Sequence, residues 1–172
     1  MAARRELLVD AYNVMFAHPH IGPLLRRDAK RARDEFLDVV RRCRPSDSSR
    51  VYVVFDAHRD PGAATETGEK GRSYEGGIHL VYARETADVW IQKRIRAHSD
   101  PSQLTIVTSD REILATAEAH GAQVLTVRRF LGLPARRRAR ANQARRREKP
   151  EHVSRREVEE MERLFRERAD EE

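Results

Sequence analysis

Apolar residues gather in five short runs: LLV (Leu7 to Val9), VYVVF (Val51 to Phe55), IHLVY (Ile78 to Tyr82), LTIVT (Leu104 to Thr108) and AQVLTV (Ala122 to Val127). Their length and their wealth of β-branched and aromatic residues predict buried strands. Between them the period changes. Leu25, Ala29, Ala32, Phe36, Val39 or Val40, and Cys43 recur at helical spacing with arginines and aspartates between, and this helix stops before Pro45, where Ser46 to Ser49 make a turn. Ala87, Ile91 and Ile95 mark a second helix, and Ile113 with Ala117 a shorter one. Strands alternating with helices predict a three-layer α/β/α domain around a central parallel sheet of about five strands.

The strand ends carry the candidate chemistry. The first run stops at Asp10 and the second at Asp56, the third leads to Glu85 and then Asp88, and the fourth leads to Asp110. In a parallel sheet all carboxyl ends lie along one edge, where ligands of open α/β sheets bind. Glu85, Asp88 and Gln92 stand at i, i+3 and i+7, on a different helix face from Ala87, Ile91 and Ile95, with Glu85 at or just before the helix start. Clustered carboxylates repel one another, and a hard cation such as Mg2+ or Mn2+ relieves that cost through oxygen ligands. Asp10, Asp88 and Asp110 are therefore expected near enough to share one cation, with Asn13 and Glu85 bordering the same cleft.

Each acid also has a structural explanation. Ser109 with Glu112 fits a capping box, which makes Asp110 a first-turn acid, and Asp88 falls in a first turn behind Thr86 as N-cap. Capping offers no comparable reason for Asp10. The convergence of three acids on one edge favours a metal site.

Charge is unevenly placed. Of the 34 basic and 28 acidic side chains, residues 128–149 hold 10 and 1, against 19 and 18 in residues 1–127 and 5 and 9 in residues 150–172. Such a segment suits a polyanion, because neutralising phosphates releases counterions; a solvated arginine-rich helix or linker is the plain alternative. Residues 57–77 hold five glycines and few large apolar side chains, which predicts a mobile loop beside the acidic edge. Pro134 and Pro150 bracket the arginine-rich piece, and Val158, Met161, Leu164 and Phe165 predict a final amphipathic helix. The division expected is 1–132 for the α/β domain and 133–172 for the basic segment and last helix.

A single cysteine, Cys43, makes no internal disulfide. The first ten residues lack a signal-peptide layout, and no apolar run approaches the roughly 20 residues of a membrane helix, so a soluble, cytoplasmic protein is expected. No Ser-His-Asp spacing, P-loop or G-x-G-x-x-G competes with the carboxylates. Tyr12 stands where a D-x-D phosphatase needs its second aspartate. Trp90 reads as core or rim packing, and His79, His98, His120 and His152 as structural residues.

LLVDAYNVM (Leu7 to Met15), VVFDAHR (Val53 to Arg59), ETADVWIQK (Glu85 to Lys93) and IVTSDRE (Ile106 to Glu112) resemble, in order, the YacP-like family of NYN domains within the PIN-like nuclease superfamily. The basic segment and terminal helix resemble the same family's C-terminal region. The resemblance implies a PIN-like fold and a metal-dependent endoribonuclease that leaves 5′-phosphate and 3′-hydroxyl ends. By motif it places the family's aspartates on Asp10, Asp88 and Asp110 and its asparagine on Asn13, so catalysis is expected of these four; metal binding is expected of Asp10, Glu85, Asp88 and Asp110, with Asp56 and Glu112 as secondary candidates. RNA, mRNA above all, is the implied substrate and the ribosome an implied partner. His58, Arg59, Arg136, Arg137, Arg138, Arg140, Arg145, Arg146 and Arg147 are the candidate RNA contacts. Ala11 and Glu112 depart from the family's usual glycine and aspartate. The rival reading is a non-catalytic RNA- or ribosome-binding protein on the same scaffold, in which the acids are dispensable.

Overall fold

The computed structural model describes residues 5–59, 72–74 and 77–148. Chain order is β1 (Arg5–Asp10), α1 (Ala11–Ala17), α2 (Ile21–Leu25), α3 (Ala29–Cys43), β2 (Ser48–Asp56), β3 (Arg72–Tyr74), β4 (Ile78–Ala83), α4 (Ala87–Ala97), β5 (Leu104–Val107), α5 (Arg111–Ala119), β6 (Gln123–Leu125), α6 (Val127–Leu131) and α7 (Leu133–Glu148), with short 3-10 turns at Ala57–Arg59 and Pro101–Gln103. The sheet runs β3-β4-β2-β1-β5-β6. Five of its strands are parallel, and β3 adds an antiparallel edge to β4. By compactness the chain divides into Met1–Pro134 and Ala135–Glu172.

Continuous apolar strands form here because helices cover both sheet faces. Leu7, Val9, Val51, Val53, Phe55, Leu80 and Tyr82 turn to the side of α1, α2, α3 and α6, where Phe36, Met15, Ile21 and Phe130 are fully buried. Phe55 stacks on Tyr82 (centroids 5.2 Å apart) and meets Phe36 and Tyr12 edge-on. Leu8, Val54, Val81, Ala83 and Ile106 turn to the opposite side, against Ala87, Ile91 and Ile95 of α4 and Ile113 and Ala117 of α5. Three layers result, as the alternating pattern predicts.

Several local expectations change. The fifth run forms a strand only over Gln123–Leu125, because Thr126 caps α6 by accepting the amide of Arg129. Within the glycine-rich stretch, Arg72–Tyr74 pairs with β4 as an edge strand rather than lying in a loop; residues 60–71 and 75–76 lie outside the described residues, as does the final helix expected around Val158 to Phe165. The helix expected from Leu25 is split, with α2 ending at Leu25 and α3 starting behind Asp28, whose side chain accepts from the amide of Arg31. After α5, Gly121 takes a φ of 73°, a left-handed turn that glycine adopts without a Cβ penalty. No helix among the described residues is long and apolar enough to cross a membrane.

At the amino end of β1, away from the strand-end acids, Glu6 is 5% exposed and meets Arg94 at 2.8 Å, Arg50 at 3.7 Å and His98 at 3.9 Å. Breaking a fully buried pair by removing one partner costs about 3–5 kcal/mol. Because Arg94 and Arg50 keep a third or more of their side chains in solvent, Glu6→Gln is expected to cost about 1–2 kcal/mol, read from the urea midpoint. This substitution serves as a control that alters stability away from the acidic edge.

Candidate active site

Strand register places the acids. Val9 lies level with Val53 on one side and Val107 on the other, so β1, β2 and β5 finish along one line and release Asp10, Asp56 and Asp110 at the same edge. Helices α1, α4 and α5 all begin there, presenting the positive ends of their peptide dipoles to carboxylates.

Asp10 is 5% exposed. One carboxylate oxygen accepts from the Thr108 hydroxyl at 2.9 Å and the other from the backbone amide of Asn13 at 3.3 Å. Burial pushes its pKa up from 3.8 to about 6; the Thr108 and Asn13 hydrogen bonds pull it down, while Asp88 and Asp56 push it further up. Asp10 is thus the N-cap of α1, so capping does account for its position, contrary to the expectation from sequence. Capping does not account for a buried carboxylate facing two others.

Asp110, not Ser109, caps α5: its Oδ1 accepts the amides of Glu112 at 2.8 Å and Ile113 at 3.1 Å. Ser109 is drawn elsewhere, donating its amide (2.9 Å) and hydroxyl (2.8 Å) to Oδ1 of Asn13. Asn13 therefore acts as a clasp between α1 and the β5–α5 turn. Thr108, 1% exposed, completes the link: its Oγ1 donates to Asp10 and accepts the amide of Asp110 at 3.0 Å. The pattern of acids along the chain singles out neither Thr108 nor Ser109. A polar Thr-Ser-Asp run where an apolar strand meets a helix is the signal that could have found them.

Asp88 lies in the first turn of α4, behind Thr86, whose hydroxyl accepts the amide of Val89 at 3.2 Å. Burial raises its pKa first, and Asp110, Asp56 and Glu112 raise it further. Asp56 Oδ1 accepts the amide of Ala87 at 2.6 Å, which ties β2 to the start of α4. Five acids thus share one field. Glu85 stands apart from it: just before Thr86, it pairs with Lys93 through both oxygens, at 2.9 and 2.8 Å.

An all-oxygen donor set of this kind suits a hard divalent cation. The side chains do not close around a point, however. Among the described residues no three His, Cys, Asp or Glu side chains are grouped to hold a metal ion. Strand register and helix starts bring Asp10, Asp88 and Asp110 to one edge, while local hydrogen bonds orient the side chains of Asp10 and Asp110. Helix capping directs oxygens of Asp10 and Asp110 toward amides, and Lys93 holds Glu85.

Of the candidate RNA contacts, His58 and Arg59 are exposed in the turn after β2. The Arg59 guanidinium lies over the rings of Tyr12 (5.1 Å) and Phe16 (5.6 Å), with Nε 3.5 Å from Asp56. Arg136, Arg137 and Arg140 are exposed on α7, while for Arg138, Arg145, Arg146 and Arg147 only the helical backbone is described.

Residues 7–167 match the family described as the YacP-like NYN domain. A Bacillus subtilis (strain 168) protein, described as uncharacterized protein YacP, is 31% identical over 105 residues, 60% of this chain and 59% of that protein. The chain thus spans about three fifths of that relative's length in the match. The crystal structure of Rae1 (YacP) from Bacillus subtilis is similar with a TM-score of 0.58 at 26% identity, covering 95% of this chain and 94% of that one. A mutant of the same protein gives a TM-score of 0.58 at 25% identity, covering 85% and 86%. With the family match running across the whole acidic edge and through α7, the chain belongs to the YacP-like family of NYN domains, a PIN-like, nuclease-type family of RNA-related function.

Proposed function

We propose that the protein is a metal-dependent endoribonuclease that cleaves single-stranded RNA, mRNA in particular, at the edge formed by Asp10, Asp88 and Asp110. One observation carries this reading: a buried carboxylate, Asp10, kept within the electrostatic reach of Asp88 and Asp56 at a sheet edge where three helices begin. A polyanion binder without chemistry gains nothing from such a concentration of negative charge beside its ligand.

Asp10, Asp88 and Asp110 would hold Mg2+ or Mn2+ in part through water, as Mg2+ sites commonly do, with Asp56 and Glu112 at its border. When bound, the cation supplies an activated water and offsets charge on the phosphoryl oxygens. Thr108 fixes the rotamer of Asp10, and Asn13 fixes Ser109 and with it the turn that presents Asp110. Asn13 is therefore a positioning residue. The first-turn amides of α1, α4 and α5 add fixed positive potential where the scissile phosphate would lie.

Incubation of long RNA with the protein in Mg2+ or Mn2+, and again in EDTA, tests the reading. Cleavage with cation and none with EDTA supports it, and naked RNA is followed by translating ribosomes, the partner implied by family. Cleavage that persists in EDTA, or none on either substrate, refutes it.

Binding is assigned to α7 and its arginines. Replacing Arg136, Arg137 and Arg138 with alanine is expected to weaken RNA affinity and flatten its salt dependence by about 0.7 log units for each phosphate no longer neutralised. Turnover at saturating RNA stays at the wild-type value. An unchanged salt slope would reduce α7 to a solvated helix.

A further inference from the structure

Where β4 ends and α4 begins, a cleft of about 380 Å3 is lined by Val81 to Ala83, Arg84, Glu85, Trp90 and Lys93. Its volume falls in the range of ligand pockets, about 300–1,000 Å3. It is open, floored by a strand end, and carries two cations and one carboxylate around an indole. Trp90 is the chain's one tryptophan. It is partly buried and packed against the core, with its ring 6.1 Å from and tilted to Tyr52, which stacks on His79 at 5.1 Å and is covered by the Arg94 guanidinium at 5.2 Å. The indole is thus held in place before any ligand arrives, which lowers the entropic cost of stacking on it.

Lys93 is presented at the same cleft by its pair with Glu85. Both side chains are more than half exposed, and such pairs are worth only about 0–1 kcal/mol, so Lys93 exchanges Glu85 for a phosphate at small cost. The cleft opens at the same sheet edge as the acids, because Ala83 in its lining lies level with Asp56, while Trp90 and Asp88, two residues apart, leave α4 on different faces.

We propose that this cleft is a nucleotide subsite for single-stranded RNA, in which a base stacks on Trp90 and its phosphate meets Lys93, flanking the phosphate that is cleaved at the acidic edge. The proposal rests on the nuclease reading and adds a binding element that α7 does not supply. Stacking on an aromatic ring serves any base, so the subsite fixes the strand's course without selecting sequence.

The lone tryptophan makes the test direct. Full-length Asp88→Asn protein, in which cleavage is expected to be too slow to consume the RNA, is titrated with a 12-nucleotide single-stranded RNA while tryptophan emission is followed; anisotropy of the same RNA carrying a fluorescein label reports binding independently. Emission is expected to fall with the anisotropy midpoint. Trp90→Ala is expected to weaken binding about 5- to 150-fold and Trp90→Phe to recover most of it, with melting curves confirming the fold. Lys93→Ala is expected to lower the salt slope by about 0.7. RNA that binds by anisotropy with emission unchanged and Lys93→Ala at the wild-type slope overturns the subsite and leaves the nuclease reading standing. That result decides even where Trp90→Ala does not fold. Absence of RNA binding together with absence of cleavage by the wild-type chain refutes the nuclease reading, and the subsite with it.

Discussion

Asp88→Asn is expected to lower RNA cleavage by at least about 100-fold while leaving the melting temperature at or slightly above that of the wild type. Two effects on stability oppose each other. An acid in the first turn of a helix gains about 0.3–1 kcal/mol from the dipole, which asparagine gives up. Against this, burial and the charges of Asp110, Asp56 and Glu112 hold the Asp88 pKa above its ordinary value, so its ionised form is a net cost to the fold. With the two opposed, removing the charge is expected not to lower the melting temperature. Cleavage assays and melting curves on one preparation check both halves. Activity kept with a lowered melting temperature would make Asp88 a capping-region acid and favour a non-catalytic RNA binder.

Asp10→Asn is expected to show the larger stability effect, with a definite pH dependence. In the unfolded chain Asp10 titrates near 3.8 and in the fold near 6, so the folded state binds more protons between these values. The cost of its ionised form is absent below about pH 4, grows as pH rises, and is complete above about pH 6. The displacement corresponds to roughly 3 kcal/mol. The Thr108 hydroxyl and the Asn13 amide use different oxygens of Asp10, and asparagine replaces one of those acceptors with an NH2 group, a loss of about 0.5–1.5 kcal/mol. The variant is therefore expected to be about 1–2 kcal/mol more stable than the wild type at pH 7.5 and no more stable at pH 4, with cleavage lost throughout. A constant difference in melting temperature across that range would show that burial of the Asp10 carboxylate carries no such cost.

Much of the architecture was legible because it rests on periodicity. The continuous apolar runs at Leu7 to Val9, Val51 to Phe55 and Leu104 to Thr108, set between helices with Ala87, Ile91 and Ile95 on one stripe, specify a sheet covered on both faces, and that is the observed core. Edges were harder. Arg72–Tyr74 has too few apolar residues to announce a strand and forms one by borrowing the ladder of β4. Val127 reads as strand by composition, yet the Thr126 cap turns the chain into a helix, a local hydrogen bond that overrides β-propensity.

The candidate site was legible as a set of acids and not as a set of bonds. Strand polarity places Asp10, Asp56, Asp88 and Asp110 at one edge. Nothing in the spacing says that Asn13 accepts two hydrogen bonds from Ser109, 96 residues away, or that Thr108 stands between Asp10 and Asp110. Those bonds depend on the register of β1 against β5. Glu85 illustrates the opposite case: its helical spacing with Asp88 suggests a shared face, but the helix begins at Ala87, and Glu85 is left beside Lys93 instead.

Titration with Mn2+, followed by the loss of its free-ion electron paramagnetic resonance signal, tests the acidic edge without knowledge of the RNA target. The wild-type chain is expected to bind Mn2+ saturably at pH 7.5 and to lose it to competing Mg2+. Asp88→Asn and Asp10→Asn should each weaken binding at least about tenfold, and Glu6→Gln should not. Mn2+ affinity that is absent in the wild type, or equal in all four proteins, would contradict a cation held by Asp10, Asp88 and Asp110.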